Sequence, residues 1–179
     1  MELKGKGCRQ MKCYLLAQER SWYDFILDYL TAGGVMNRLD WAINNDRSGI
    51  LYILKLSAKY KAGECISYFR KQKDYSGTEK CGSDTQKNTG ETLYLGSTSS
   101  KLYMCAYQKN YEQYVKNGTE VEDTDIKNCF EIRMKNERAY YAVKDLMNYR
   151  DTERTAFSII NHYVCFIDRE DDKTKNQRK

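Results

Sequence analysis

The sequence predicts an α+β fold in which a mainly antiparallel sheet carries helices on one face. Two segments, residues 35–43 and 130–135, alternate apolar and polar side chains with the period of two that is typical of half-buried strands. Segments with helical spacing of apolar residues lie between and after them. Because antiparallel sheets commonly bury one face and solvate the other, we expect both strands in one such sheet, with Leu39, Trp41 and Ile132 facing the helices.

Composition limits the classes of protein that fit. The 179 residues suit one domain, and 41% hydrophobic with 31% charged residues indicates a folded chain. A net charge of +5 permits a polyanionic partner. Seven cysteines without a Cys-x-x-Cys pair, together with one histidine, predict free thiols in a reducing cytoplasm and argue against a zinc site. No apolar run approaches the ~20 residues of a membrane span, so no membrane partner is expected.

The N-terminal half is predicted to contain two strands and two helices. Residues 8–16 are interpreted as a first strand. Residues 21–30 are predicted to be a helix with Ser21 as N-cap and Asp24 completing a capping box, ended by the glycines at 33 and 34. The strand at 35–43 follows. A short helix is expected near 50–61, and residues 65–75 fit a helix or a strand.

The C-terminal half is predicted to contain a loop, a hairpin, a strand and three helices. The polar, Ser- and Gly-rich segment 76–91 is interpreted as a loop. Residues 92–97 and 101–109 bracket a polar turn and are expected to pair as a hairpin. Helices are expected at 110–116, 137–149 and 152–167, the last capped near Asp151 or Thr152, with the strand at 130–135 between the first two.

Each alternating strand places a carboxylate beside an arginine on its polar face: Arg38 with Asp40, and Glu131 with Arg133. If the strands are neighbours, Asp40 and Glu131 could share Mg²⁺ or Mn²⁺, which prefer oxygen ligands, and the arginines could hold a phosphate. The alternative is salt bridging on a solvated sheet face, which the pattern alone favours.

Two tyrosines on the helix after the second strand are candidate nucleophiles. Ala139, Val143 and Leu146 mark the buried stripe of this helix; Tyr140 lies at its edge and Tyr141 almost opposite. An exposed tyrosine can attack a phosphodiester, although the pattern alone favours an ordinary surface role. The single histidine, at position 162, fits helix packing or capping better than catalysis, and no phosphate-binding glycine loop supports nucleotide hydrolysis.

Four blocks of sequence, in order, resemble one protein family. They are ELKGKGCR at 2–9, GVMNRLDWAI at 34–43, TLYLGS at 92–97 with YQKNYEQ at 107–113, and NCFEIRMKNERAYY at 128–141. These blocks are similar to the Rep_trans replication initiation factors, which comprise rolling-circle plasmid initiators and the relaxases of integrative and conjugative elements. The resemblance runs from about residue 2 to 168 and is nearest to the conjugative-element branch.

The resemblance implies an origin-specific DNA nicking and strand-transfer activity. In this family a tyrosine attacks a phosphodiester and leaves a 5′-phosphotyrosyl link with a free 3′-OH, while a metal polarises the phosphate. The resemblance implies that Asp40 and Glu131 are ligands of a divalent metal (Mg²⁺ or Mn²⁺). It also implies that Tyr141, with Tyr140 in reserve, is the nucleophile. The arginines at 38 and 133 would assist catalysis. The expected partner is origin DNA, both double-stranded and as the nicked single strand, in the cytoplasm; a homodimer is compatible with the sequence.

The chain departs from the family pattern at three places. Asn44 and Asn45 stand where relatives often carry a second acidic residue, and Phe130 stands where some plasmid relatives carry tyrosine. The chain is also expected to be truncated at both ends, with an incomplete domain at 1–168 and a charged flexible tail at 169–179. A non-catalytic DNA-binding remnant of such a protein from a mobile element is therefore the alternative function, and a small partner-binding protein is a third.

Overall fold

The structure, a computed structural model, describes residues 3–45, 53–81, 85–117 and 127–167. The predicted tail at 169–179 and the start of the predicted helix at 50–52 lie outside these residues. In chain order the elements are α1 (Gly5–Ala17), α2 (Trp22–Thr31), β1 (Arg38–Asn45), α3 (Ile53–Lys61), β2 (Cys65–Ser67), β3 (Gln72–Cys81), β4 (Thr85–Leu95), β5 (Leu102–Gln108), α4 (Lys109–Asn117), β6 (Asn128–Lys135), α5 (Glu137–Tyr149), α6 (Thr152–Tyr163) and β7 (Val164–Phe166).

A five-stranded antiparallel sheet forms the centre of the described fold, with the order β1-β6-β5-β4-β3. In its middle, Trp41 of β1 is opposite Ile132 of β6, and Ile132 is opposite Met104 of β5. The alternating strands at 35–43 and 130–135 and the hairpin 92–109 all contribute to this sheet. The predicted α+β class and the shared antiparallel sheet are therefore confirmed.

The apolar face of the sheet carries the core. Its most deeply buried side chains include Leu93, Leu95, Met104, Ile132 and Met134. Residues of α3, α5, α6 and β7 pack against them, and Ile26 of α2 joins Val143 and Leu146 of α5 in an adjoining cluster. Burying one such side chain contributes about 1.5–3 kcal/mol. The helices at the core therefore cover the face that the alternation marks as apolar.

Helix α2 has both of its predicted ends. The Ser21 backbone N–H donates to Asp24 Oδ2 at 2.8 Å, and the Asp24 backbone N–H donates to Ser21 Oγ at 3.3 Å, which forms the capping box. Gly33 follows the helix with φ of 82°, a left-handed conformation that favours glycine. The sequence-based boundaries of α2 are thus confirmed within one residue.

Residues 8–16, predicted to be a strand, lie in helix α1, so that prediction was wrong. The residues of this segment that turn inward are Cys8, Met11 and Leu15, and only Leu15 is fully buried. Their spacing of three and four residues is that of one helical face, whereas a strand would require a period of two. The short apolar run at its end obscured this spacing.

Residues 76–81 and 85–91 of the segment predicted to be a loop lie in a ribbon of two paired strands, so that prediction was wrong as well; residues 82–84 lie outside the described residues. Strands β3 and β4 pair antiparallel from Gln72 opposite Leu95 to Cys81 opposite Thr85, with a register shift at Gly77 and Thr78. Pairing of backbone groups stabilises this ribbon although its outer part lacks apolar alternation.

The segments 65–75 and 152–167 both contribute short strands. Residues 65–75 contain β2 and the start of β3, which resolves the ambiguity between helix and strand. The helix predicted over 152–167 ends at Tyr163, and the following Val-Cys-Phe segment pairs with β2 as a second, two-stranded sheet. Valine and phenylalanine favour strands, which accounts for the earlier end. No helix among the described residues is both long enough and apolar enough to span a membrane.

Candidate functional site

The polar face of the sheet, opposite the core, collects the charged residues of β1 and β6 and the tyrosines of β5. In the antiparallel register, Asp40 is opposite Arg133, and Arg133 is opposite Tyr103. Two residues before Arg133 on β6, Glu131 lies opposite Ala42 of β1 and opposite Cys105 of β5. Because paired residues of neighbouring strands point to the same face, these side chains share one surface. We call it the polar sheet face.

Glu131 is the centre of the polar sheet face. Its Oε2 accepts a hydrogen bond from Arg133 Nε at 2.7 Å, and its Oε1 accepts one from the Tyr107 hydroxyl at 2.7 Å. Arg133 Nη1 in turn donates to the Tyr103 hydroxyl oxygen at 3.1 Å. The result is a connected network in which a phenol donates directly to a carboxylate, and such charge-assisted bonds are the stronger class.

Arg38 and Asp40 form a second ion pair on β1. Arg38 Nε lies 3.0 Å from Asp40 Oδ1, and Arg38 Nη2 lies 2.6 Å from Asp40 Oδ2. Both predicted carboxylate–arginine pairs therefore form, each between residues two apart on one strand rather than across strands. The pair on β1 is the more exposed to solvent, and the pair on β6 is the more buried.

Burial shifts the acid–base properties of the polar sheet face. Desolvation, reinforced by the hydrogen bond to Glu131, raises the pKa of Tyr107 well above the usual range of a phenol. Desolvation also raises the pKa of the Cys105 thiol to about 12. Burial alone would lower the pKa of Arg133, but its bonds to Tyr103 and Glu131 outweigh that effect and raise it. In the resting arrangement, therefore, Tyr107 and Cys105 are neutral and Arg133 is charged.

The two predicted metal ligands share the polar sheet face. Asp40 and Glu131 are diagonal neighbours, since Asp40 is opposite Arg133, two residues beyond Glu131. Carboxylate oxygens are the ligands that Mg²⁺ and Mn²⁺ prefer, and Mg²⁺ commonly uses one or two carboxylates with water completing its shell. The donor chemistry thus fits a divalent cation, although both arginines would have to turn aside. Among the described residues, no group of three or more acidic, His or Cys side chains converges.

The predicted nucleophiles lie elsewhere. Tyr140 and Tyr141 are exposed residues of α5, and their rings contact each other at 5.5 Å between centroids. Helix α5 packs through Ala139 and Ala142 on the apolar face of the sheet. The sheet therefore separates both tyrosines from Asp40 and Glu131. His162 stacks on the Tyr68 ring at 5.3 Å, which agrees with the predicted packing role.

Sequence reasoning missed the tyrosines of β5. Tyr103 and Tyr107 flank Cys105 at a spacing of two, so all three point to one face. This signal was present in the segment 101–109, which was interpreted only as half of a hairpin. The direct contact of Tyr107 with Glu131 also depends on β5 lying next to β6, which alternation within one strand does not specify.

Comparisons with known proteins give the family. The model of the replication initiation factor family matches residues 34–179, and the model of the N-terminal domain of rolling circle replication initiation proteins matches residues 1–28. The proposed DNA relaxase NicK of Bacillus subtilis (strain 168) is 38% identical over 179 residues, which is 100% of this chain and 50% of that protein.

A solved structure agrees with this result. The rolling circle replication initiator protein from Geobacillus stearothermophilus superposes with a TM-score of 0.68 at 25% identity, over 91% of this chain and 57% of that one. The chain thus spans about half the length of the relatives that it matches. Since the replication initiation factor model covers most of the sequence and the fold agrees, the chain belongs to the replication initiation factor family of rolling-circle initiators and relaxases.

Proposed function

We propose that the chain nicks origin DNA and transfers the cut strand, and that the polar sheet face is its catalytic surface. The observation that carries the proposal is the 2.7 Å hydrogen bond from the Tyr107 hydroxyl to Glu131, beside the charged guanidinium of Arg133. A tyrosine nucleophile needs a base for its proton and positive charge near the phosphate, and these three side chains supply both. The family membership supports DNA as the substrate.

The chemistry at this surface is a transesterification. The phenolic oxygen of Tyr107 attacks the scissile phosphorus while its proton passes to Glu131 Oε1, the atom that already accepts its hydrogen bond. A phosphorus–oxygen bond to Tyr107 forms, and the bond from phosphorus to the 3′ oxygen breaks. The leaving oxygen takes a proton from solvent and becomes a free 3′-OH, Glu131 later releases the phenol proton to solvent, and the 5′ phosphate remains on the tyrosine.

The raised pKa of Tyr107 makes the proton transfer necessary. A phenol attacks poorly while protonated, and burial with the bond to Glu131 holds Tyr107 in that form. Arg133 and Arg38 would hold the phosphate oxygens. Asp40 and the Glu131 oxygen that does not take the Tyr107 proton would hold a divalent cation, Mg²⁺ or Mn²⁺, once both arginines have turned from the carboxylates to the phosphate; when bound, the cation adds positive charge that polarises the phosphate. The nicked single strand and the origin duplex are the proposed partners, in the cytoplasm.

Tyr107 replaces Tyr141 as the preferred nucleophile on geometric grounds. A nucleophile, its base and the charges on the phosphate must meet within about 3–3.5 Å of the reacting atoms. Tyr107 touches Glu131, whereas Tyr141 and Tyr140 lie on α5 behind the sheet. Tyr141, the nucleophile chosen from the sequence, remains the alternative, and the experiment must distinguish it from Tyr107.

A non-catalytic DNA-binding remnant is the second candidate function. It is favoured by the arginine partners that both carboxylates already have, and by Asn44 and Asn45 at positions where relatives often carry acidic residues. Such a protein would bind DNA with salt-dependent affinity but leave it uncut.

The experiment is a nicking assay on supercoiled plasmid that carries the cognate origin, with Mg²⁺ or Mn²⁺, followed by detection of protein-linked DNA. We expect the chain to produce linked, nicked circles, Tyr107→Phe to abolish the link, and Tyr141→Phe to retain it. Tyr75→Phe, which changes an exposed tyrosine of β3, is the matched control. Linked DNA that survives in Tyr107→Phe but disappears in Tyr141→Phe would return the role to α5. DNA binding by the unchanged chain without any link would support the remnant.

A further inference from the structure

A groove on the helical side of the sheet combines aromatic rings with positive charge. It has a volume of about 410 Å³ and lies between α5 and α6. Leu102 and Met134 of the sheet are among its apolar lining residues. Arg138, Tyr141 and Tyr149 come from α5, and Arg154 and His162 from α6. The sheet separates this groove from the polar sheet face.

The rings of the groove are open to solvent. Tyr141 is 58% exposed and Tyr149 is 56% exposed, although most aromatic rings lose much of their surface when a domain folds. The Arg154 guanidinium lies 4.2 Å from the centroid of the Tyr149 ring, so cation and ring already form a paired surface. Large exposed rings beside cations are the combination that stacks unpaired bases.

The charges of the groove favour a polyanion. Arg138 and Arg154 form no ion pair with another described residue, so no described carboxylate competes with a ligand for their donors. One carboxylate, Asp145, also lines the groove, and the two arginines outweigh it. The volume lies within the roughly 300–1,000 Å³ of small-ligand sites, so the groove has room for part of a strand.

We propose that this groove between α5 and α6 binds a segment of single-stranded DNA, with bases stacked on Tyr141 and Tyr149 and phosphates held by Arg138 and Arg154. The inference rests on the proposed function, since nicking and strand transfer produce an unpaired strand that the protein can bind. It assigns Tyr141 a role that requires its ring and not its hydroxyl.

The difference between ring and hydroxyl gives the test. The affinity of the full chain for a fluorescein-labelled oligothymidylate of about ten nucleotides is measured by anisotropy. Stacking of one base is worth about 1–3 kcal/mol, so Tyr141→Ala should weaken binding by about 5- to 150-fold, and Tyr141→Phe by less than about twofold. Tyr14→Ala, which removes an equally exposed ring on α1, is the control and should not weaken binding.

Variants of the charged residues in the groove give an independent test of binding. Arg138→Gln should weaken binding and reduce the slope of log K against log salt by about 0.7, the value for one phosphate contact on a single strand. Asp145→Asn should strengthen binding, because it removes the carboxylate that repels phosphates. A purely structural role of Asp145 would not increase affinity.

Three results would overturn the inference. The first is equal affinity of Tyr141→Ala and Tyr14→Ala for the oligomer, and the second is an unchanged salt slope in Arg138→Gln. The third is competition by free thymidine monophosphate at the same concentration of nucleotide as the oligomer, because it would indicate a mononucleotide site. Failure of the proposed function is a different result, since the unchanged chain would then bind the oligomer through the groove but never link to DNA.

Discussion

The polar sheet face allows a quantitative comparison of two carboxylates that differ in burial. The side chains of Glu131 and Arg133 are 15% and 31% exposed, whereas those of Asp40 and Arg38 are 35% and 50% exposed. Glu131→Gln and Asp40→Asn make the same chemical change on diagonal neighbours. Each removes the carboxylate to which an arginine on the same strand is bonded, so the two variants control for each other.

We expect Glu131→Gln to cost about 2 kcal/mol of the free energy of unfolding and Asp40→Asn less than about 1 kcal/mol. Removing one partner of a fully buried ion pair costs about 3–5 kcal/mol, and an exposed pair contributes about 0–1 kcal/mol. The partial exposure of Arg133 places Glu131 between these limits. The amide oxygen that replaces the carboxylate in Glu131→Gln could still accept the hydrogen bond from Tyr107. The loss of stability therefore comes mainly from the broken ion pair with Arg133.

Urea unfolding measures the difference. With a slope of about 2 kcal/mol per molar urea, the midpoint of Glu131→Gln should fall by about 1 M and that of Asp40→Asn by less than about 0.5 M. Equal shifts, or a larger shift for Asp40→Asn, would refute the argument that the Glu131 network organises this face.

Three further predictions concern thiols, pH and the core. The buried Cys105, with a pKa of about 12, should react with a disulfide reagent at least about a thousandfold more slowly than exposed Cys13; equal labelling by mass spectrometry would contradict this. Burial raises the pKa of Asp74, but its donors on α3 and β3 outweigh that and lower it. Asp74→Asn should therefore cost about 1 kcal/mol at pH 7, and in pH-dependent unfolding this difference should shrink as the pH falls and Asp74 becomes protonated; a difference that stays constant into strong acid would contradict it. Ile132→Ala, at a fully buried position, should cost about 2–5 kcal/mol of stability in the same assay, and a loss below about 1 kcal/mol would show that the position is not packed.

Patterns within one segment predicted the sheet well, because burial acts on every second residue of a strand. The alternation in 35–43 and 130–135 correctly separated Ile132 from Glu131 and placed Asp40 on the polar face. The capping box of α2 is equally local, since Ser21 and Asp24 satisfy backbone groups of their own helix turn. Such features need no knowledge of distant partners.

Features that depend on distant partners were harder to predict. The ribbon of β3 and β4 is polar, and its stability comes from pairing that no single segment encodes. The same limit applied to the candidate site. Arg133 and Glu131 are neighbours on one strand and were found together, but the contact of Tyr107 with Glu131 requires β5 to pair with β6 in one particular register. Tyr141 was chosen for its exposure, and the side of the sheet on which α5 packs was unknown.

The most direct test of the polar sheet face as the catalytic surface is to map the residue that carries the DNA. Linked complexes are digested with nuclease and trypsin, and the peptide that retains a nucleotide is identified by mass spectrometry. Cleavage after lysine and arginine places Tyr103 and Tyr107 in the peptide LYMCAYQK, residues 102–109, and Tyr140 and Tyr141 in AYYAVK, residues 139–144. We predict the nucleotide on Tyr107 in the first peptide. A nucleotide on the second peptide would place the chemistry on α5, behind the sheet, and would contradict the account.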